Sequence, residues 1–250
     1  MAEEGVAAVD RAVALLEAFR PGEEAVSLTQ LSARTGLHKT TVLRLAASLE
    51  RAGLVMRMPG GSFRLGGRIL ALASVYRSSL QLDRVVRPFL ETLVRETGES
   101  ASLYVREGRS RLCVARIETA RSLRVAITEG SFAPLDDTAT GLVLRGRRAA
   151  HEPSGAGPPG PVFTTGIGDP ETASASAAVL STEGEIIGAL TVSGPASRFT
   201  EDAAARAMPI LARVAREFSA VLAGTPMPKA PSTPKRGRTA AEPPEARSIP

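Results

Sequence analysis

The stretch from Ser27 to Gly66, SLTQLSARTGLHKTTVLRLAASLERAGLVMRMPGGSFRLG, leaves the backbone few choices. Ser27 followed three residues later by Gln30 is a capping box, in which each side chain satisfies an orphan backbone donor of the other at a helix start. Val26 and Leu31 stand where a hydrophobic staple closes the same end. Gly36 supplies the left-handed residue that ends a helix, so the first helix is short and a second begins at once. That spacing is a helix-turn-helix. In the second helix Val42, Leu45, Ala46 and Leu49 fall on one buried face. At about 100° per residue, Thr40, Arg44, Ala47 and Arg51 fall on the opposite one.

The second helix suits a DNA major groove, entered by its N-terminal end, where His38, Lys39, Thr40 and Thr41 stand beside open backbone N–H groups that favour phosphate. Arg44, one turn on, is placed to reach a base edge. From Ser27 to Arg68 seven cationic side chains face Glu50 alone, whereas an ordinary solvated face mixes signs. After Gly53 two short apolar runs flank Pro59-Gly60-Gly61 and read as a β-hairpin, a wing that carries Arg57 and Arg64 toward the DNA backbone or minor groove. The plain alternative is a surface hairpin.

At 250 residues the chain has room for two domains, each with a core. Its net charge of +5 favours an acidic partner, and the distribution says where. Residues 1–82 carry ten basic and seven acidic side chains, residues 83–224 sixteen and seventeen, and the tail from Thr225 five and two. The middle domain is therefore not expected to be a nucleic-acid surface. Cys113 is the one cysteine, which leaves no disulfide framework, and with only His38 and His151 no metal centre and no cofactor site is read. Nothing supports an enzyme: Cys113 sits in the apolar run RLCVAR and neither histidine has a catalytic neighbourhood. MAEEGVAAVDRAV has no basic segment leading an apolar core, and no run reaches membrane-spanning length, so a cytoplasmic protein is expected.

Ahead of the capping box, Val9, Ala12, Val13, Leu16 and Phe19 outline a first helix stopped by Pro21-Gly22. After the hairpin, Ile69, Leu72, Ala73, Tyr76 and Leu80 continue at helical spacing, and a second copy of the same helix is the economical partner for that stripe. Asp83 is placed to cap the next helix, whose inner face is Phe89, Leu90, Leu93 and Val94; Pro88 either kinks it or marks a later start. Then the period changes to two. SASLYVRE, SRLCVAR and SLRVAIT read as consecutive antiparallel strands, and two more are expected near 174–181 and 185–193. Along the last, Ile187, Ala189, Thr191 and Ser193 share one face, and Ile186, Leu190 and Val192 the other. Gly141 to Ser174 reads as a Pro/Gly-rich loop, and Ala207, Ile210, Leu211, Val214, Phe218 and Leu222 as a final helix bent at Pro209. The fold class is α+β in two domains: a winged helix-turn-helix over 1–66, a linker helix over 67–82, and an α/β sandwich with an antiparallel sheet over 83–224. A disordered, Pro-rich basic tail over 225–250 follows.

Three stretches together resemble the IclR family of bacterial transcriptional regulators, over roughly residues 5–223: KTTVLRLAASLERAGLV with GGSFRLGGRIL, ETGESASLYVREG with LCVARIE, and GALTVSGPASRFTED. The resemblance implies a regulator, repressor or activator, that binds a double-stranded DNA operator through the winged helix. It also implies a GAF-like effector-binding domain, a homodimer, and often a dimer of dimers. Family effectors are organic acids, aromatic compounds, lactones or amino-acid pathway metabolites. Matched residue by residue, Ala139, Thr140 and Gly141 correspond to the loop whose amides face the effector, Ser174 to a small polar position on the next strand, and Thr191 and Ser193 to the hydroxyls before the SGP turn. Backbone donors and hydroxyls suit a carboxylate or lactone carbonyl, unless these small residues only let a helix pack closely. The chain departs from the family after Gly141, where Leu142-Val143-Leu144-Arg145 and a shortened Pro/Gly-rich segment replace Lys-Ala and two helices, so the pocket lid and tetramer contacts of that region do not carry over. The competing expectation is a constitutive DNA-binding dimer whose second domain only oligomerises.

Overall fold

A computed structural model of the chain describes residues 5–79, 82–146 and 160–223. They fall into two compact units that part between Arg77 and Ser78. Leu80, His151 and the tail from Thr225 lie outside the described residues.

The first unit is three helices, a hairpin and a fourth helix: α1 (Ala7–Glu17), α2 (Leu28–Thr35), α3 (Lys39–Arg51), β1 (Val55–Arg57), β2 (Phe63–Leu65) and α4 (Arg68–Ser79). The capping box forms as expected: the Gln30 amide donates to the Ser27 hydroxyl at 3.3 Å, and the Ser27 amide donates to Gln30 Oε1 at 2.9 Å. Val26 and Leu31 are both buried, and Val26 also bridges to Phe63, which ties the hairpin to the front of α2. The core is Leu15, Leu31, Val42, Ala46, Leu49, Val55 and Phe63. In α1 the expected inner face is rotated. Leu15 and Ala18 are buried, whereas Val9 and Val13 are exposed, because α1 meets α2 and α3 along its Ala12–Leu15–Leu16–Phe19 side. Gly66 closes the hairpin onto the turn after α3, where a Cβ would stand 2.2 Å from the Gly53 carbonyl oxygen. No other residue fits there.

In the second unit a π-helical turn (Leu82–Val86) runs into α5 (Arg87–Thr97), followed by β3 (Ser100–Glu107), β4 (Ser110–Ile117), β5 (Phe132–Pro134), α6 (Ala139–Leu144), β6 (Val162–Thr165), β7 (Thr172–Leu180), β8 (Ile186–Pro195) and α7 (Glu201–Ala223). Pro88 takes the second position of α5, where its missing N–H costs nothing, so the later start is the one realised. Asp83 falls in the π-turn, and its side chain lies outside the described ones. The strands form one antiparallel sheet, ordered β5-β4-β3-β8-β7-β6. Helices α5 and α7 cover one face around Leu90, Leu93, Leu190, Val192, Leu211, Val214 and Phe218, with the Phe89 and Phe218 rings 5.0 Å apart. Cutting one of these leucines to alanine typically costs about 2–5 kcal/mol. The other face carries α6 over Tyr104, Cys113 and Ala189. Helix α7 runs through Pro209 without a break. Among the described residues no helix is long and apolar enough to cross a membrane.

Three expectations are corrected. SLRVAIT forms no strand: the Leu123 and Val125 carbonyls that a ladder would use accept instead from Arg198 Nη2 (3.1 Å) and Arg116 Nη2 (2.6 Å), and β5 takes the outer edge of β4. The expected loop after Gly141 opens inside a helix, because Thr138 caps α6 through the Gly141 amide, and it closes with the edge strand β6. Ile186 and Ile187 exchange faces, since the register with β7 slips between Val179 and Leu180 and leaves Ile187 as the extra residue of a bulge.

Candidate nucleic-acid interface and ligand cavity

Because Val42, Ala46 and Leu49 point into the core, the opposite face of α3 is free: Lys39, Thr40, Arg44, Ala47 and Arg51 are all exposed, joined by Leu43, which the periodicity did not single out. His38 occupies the N-cap, exposed and without a side-chain cap bond, so the first amides of α3 face outward unblocked by it. Thr41 is half-buried. On the hairpin, Arg57 and Arg64 are exposed; Arg57 stacks over the Phe63 ring at 5.9 Å, and Arg64 Nη2 lies 3.2 Å from Met56 Sδ. All seven residues proposed for DNA therefore belong to one compact unit. Arg34, counted among the cations of this stretch, is engaged elsewhere. Its guanidinium holds both carboxylate oxygens of Glu23, at 2.7 and 2.5 Å, and the Ala18 carbonyl at 2.8 Å, locking α2 to the segment after α1.

In the second unit a cavity of about 260 Å³ opens on the α6 face of the sheet. Thr140, Ser174, Thr191 and Ser193 stand in its wall, whereas Ala139 and Gly141 are buried outside it. The amides of those two are committed inside the fold: Ala139 N–H donates to Thr164 Oγ1 at 2.9 Å and Gly141 N–H to Thr138 Oγ1 at 3.3 Å. Gly141 is required there, since a Cβ would meet the Asp136 carbonyl oxygen at 2.2 Å. The Thr140, Ser176 and Thr191 hydroxyls close on one another, with Thr140 and Thr191 2.9 Å apart. The Ser193 hydroxyl is buried with no hydrogen-bond partner among the described residues.

Sequence reasoning missed the ionic part of this wall. Arg111 reaches from β4 to the start of α6, where Nη1 donates to Asp136 Oδ1 at 2.5 Å and to the Thr138 hydroxyl, and its guanidinium lies 6.0 Å from the Tyr104 ring centre. Burial alone would raise the Asp136 carboxyl, but hydrogen bonds from Thr138 and Arg111 outweigh it and hold the group below the usual carboxylate value. Two signals were available: Arg111 shares parity with Cys113 on its strand, and Thr138 before an apolar run is a helix cap. Cys113, at 0% exposure, has its thiol pushed up to about 11 by burial.

At the end of the sheet Glu99 is buried under the SGP turn and paired twice with Arg198, Oε1 to Nε at 2.5 Å and Oε2 to Nη2 at 2.8 Å. A Cβ on Gly194 would stand 2.5 Å from that carboxylate.

Residues 8–59 match the IclR helix-turn-helix domain, and residues 74–152 match the bacterial transcriptional regulator IclR C-terminal domain. The HTH-type transcriptional regulator KipR of Bacillus subtilis is 31% identical over 127 residues, 51% of this chain and 50% of that protein. The chain thus spans about half the length of the curated relatives it matches. An IclR-type regulator from Silicibacter sp. TM1040 superposes with a TM-score of 0.70 at 25% identity, over 90% of this chain and all of that one, 100%. An IclR homologue from Microbacterium hydrocarbonoxydans, solved in complex with 4-hydroxybenzoate, has a TM-score of 0.71 at 20% identity, over 88% and 100% of the two chains, and shares the fold. Two adjoining family domains in family order, on a winged helix followed by an antiparallel sheet sandwich, place this chain in the IclR family of transcriptional regulators.

Proposed function

We propose that the protein is a sequence-specific DNA-binding transcriptional regulator that acts as a homodimer and whose operator affinity is set by a small molecule in the cavity of the second unit. The observation that carries this reading is the exposed cationic face of α3, with Lys39, Arg44 and Arg51 opposite a buried apolar stripe and two further arginines on the wing. His38, Lys39, Thr40 and Thr41 would meet phosphate, Arg44 a base edge, and Arg57 and Arg64 the flanking backbone. The division of labour is residues 1–66 for DNA, 67–82 as the linker, and 83–224 for effector binding and assembly, with the chain working in the cytoplasm.

A second copy is supported by what α4 leaves uncovered. Leu70 and Val75 are 75% and 71% exposed, with Leu72 and Tyr76 beside them, and α1 adds Val6, Val9 and Val13. Such apolar stripes favour burial against a partner. For the effector, Thr140, Ser174, Thr191 and Ser193 gather in a cavity of suitable size, and one family member binds 4-hydroxybenzoate. An effector acts only through its different affinities for the DNA-competent and DNA-incompetent states. The test is binding of the full chain to a selected operator, by fluorescence anisotropy, with pools of small metabolites added. A pool that moves the affinity supports regulation by ligand. Affinity unmoved by every pool would leave a constitutive dimer whose second unit only oligomerises.

A further inference from the structure

We propose that the effector is an uncharged molecule whose acceptor oxygens are set against Arg111, so that the cavity selects neutral ligands over the corresponding carboxylates. This rests on the cavity being the effector site. Among the described residues its wall carries one cation, Arg111, and two carboxylates, Asp136 and Asp169. The cation is already balanced, because Nη1 donates to Asp136 Oδ1 at 2.5 Å and to the Thr138 hydroxyl. A carboxylate ligand would be a second anion on a paired guanidinium, with Asp169 in the same wall. An uncompensated charge in a partly desolvated site is the arrangement that costs most. At the start of α6 the Ala139 and Gly141 amides are spent on Thr164 and Thr138.

The same guanidinium still has donors to give. It carries five N–H groups, and among the described residues both of its acceptors are served by Nη1, which leaves the Nε and Nη2 edge without an acceptor on a side chain that lines the cavity. The guanidinium is tied to Asp136 through Nη1 and lies 6.0 Å from the centre of the Tyr104 ring. A carbonyl or hydroxyl oxygen accepts from that edge without adding charge, in the stronger, charge-assisted class of hydrogen bond. The other polar side chains of the wall include hydroxyls, and Ser193, only 6% exposed, keeps a hydroxyl with no partner among the described residues. Buried hydroxyls are normally satisfied, so this one marks where a neutral polar group of the ligand completes the wall.

The experiment is ligand-observed NMR of the full chain against a fragment library in which every carboxylic acid is matched by its primary amide, 4-hydroxybenzoate with 4-hydroxybenzamide among them. We expect amides to bind at least about tenfold tighter than their acids, and Arg111→Met to abolish both. Asp136→Asn keeps the shape of the cluster but removes the balancing charge, so it should shift the acid-to-amide ratio at least about tenfold toward acids. If Arg111→Met fails to fold, Asp136→Asn decides alone, and an unchanged ratio in it overturns the proposal. Acids favoured on the unmodified protein would overturn the neutral class while leaving the effector site standing. No cavity binder in either class would overturn both.

Discussion

Removing both wing arginines, Arg57→Ala with Arg64→Ala, should cut the salt dependence of DNA binding by about two-thirds without unfolding the wing. Lys39, Arg57 and Arg64 are the cations set against phosphate, three per protomer and six per dimer. With about 0.9 of a counterion released per neutralised phosphate, the slope of log affinity against log salt should be about −5.4, and about −1.8 in the variant. Between 50 and 200 mM salt the unmodified protein should therefore lose about 10³-fold in affinity and the variant about 10-fold. The fold should tolerate the change, because Val55 and Phe63 remain buried and the loss is one exposed stack of Arg57 on Phe63, about 0.5–1 kcal/mol, and the sulfur contact of Arg64. Fluorescence anisotropy on any duplex suffices, since the effect does not depend on sequence. An unchanged slope in a folded variant would remove the wing from the interface.

Two other outcomes follow from the second unit. Glu99→Gln should destabilise it by about 2–3 kcal/mol in urea, below the full cost of breaking a buried pair because Arg198 is 27% exposed and can turn to water; a loss under about 0.5 kcal/mol would mean the pair does not seat the turn after β8. Cys113, with its thiol pushed up to about 11 by burial, should be inert to thiol reagents at neutral pH until the protein unfolds, and rapid labelling of the native chain would contradict its placement.

The first unit was legible because its signals are local. The Ser27–Gln30 box, the Gly36 stop and the face of Val42, Ala46 and Leu49 each involve residues within two turns of one another. What failed was decided at a distance. Nothing near Val125 shows that a guanidinium nine residues earlier takes its carbonyl, so the β-rich run SLRVAIT misled. Val9 and Val13 fit a helical stripe as well as Leu15 does, and only packing against α2 and α3 selects which side is inside. In the cavity, Thr140, Ser174, Thr191 and Ser193 came from motif correspondence, whereas the clamp of Arg111, Asp136 and Thr138 joins residues 25 and 27 positions apart across a strand and a helix. Register between strands, which places Ser174 beside Ser193 and Ser176 beside Thr191, is likewise invisible from one strand's alternation.

The most direct measurement is genome-wide DNA occupancy of the unmodified protein beside Lys39→Ala/Arg44→Ala. Both side chains are exposed on α3 and outside the core, so the variant should fold. We expect discrete sites that share a sequence and vanish in the variant. Diffuse occupancy that survives the two substitutions would contradict sequence-specific regulation through this helix.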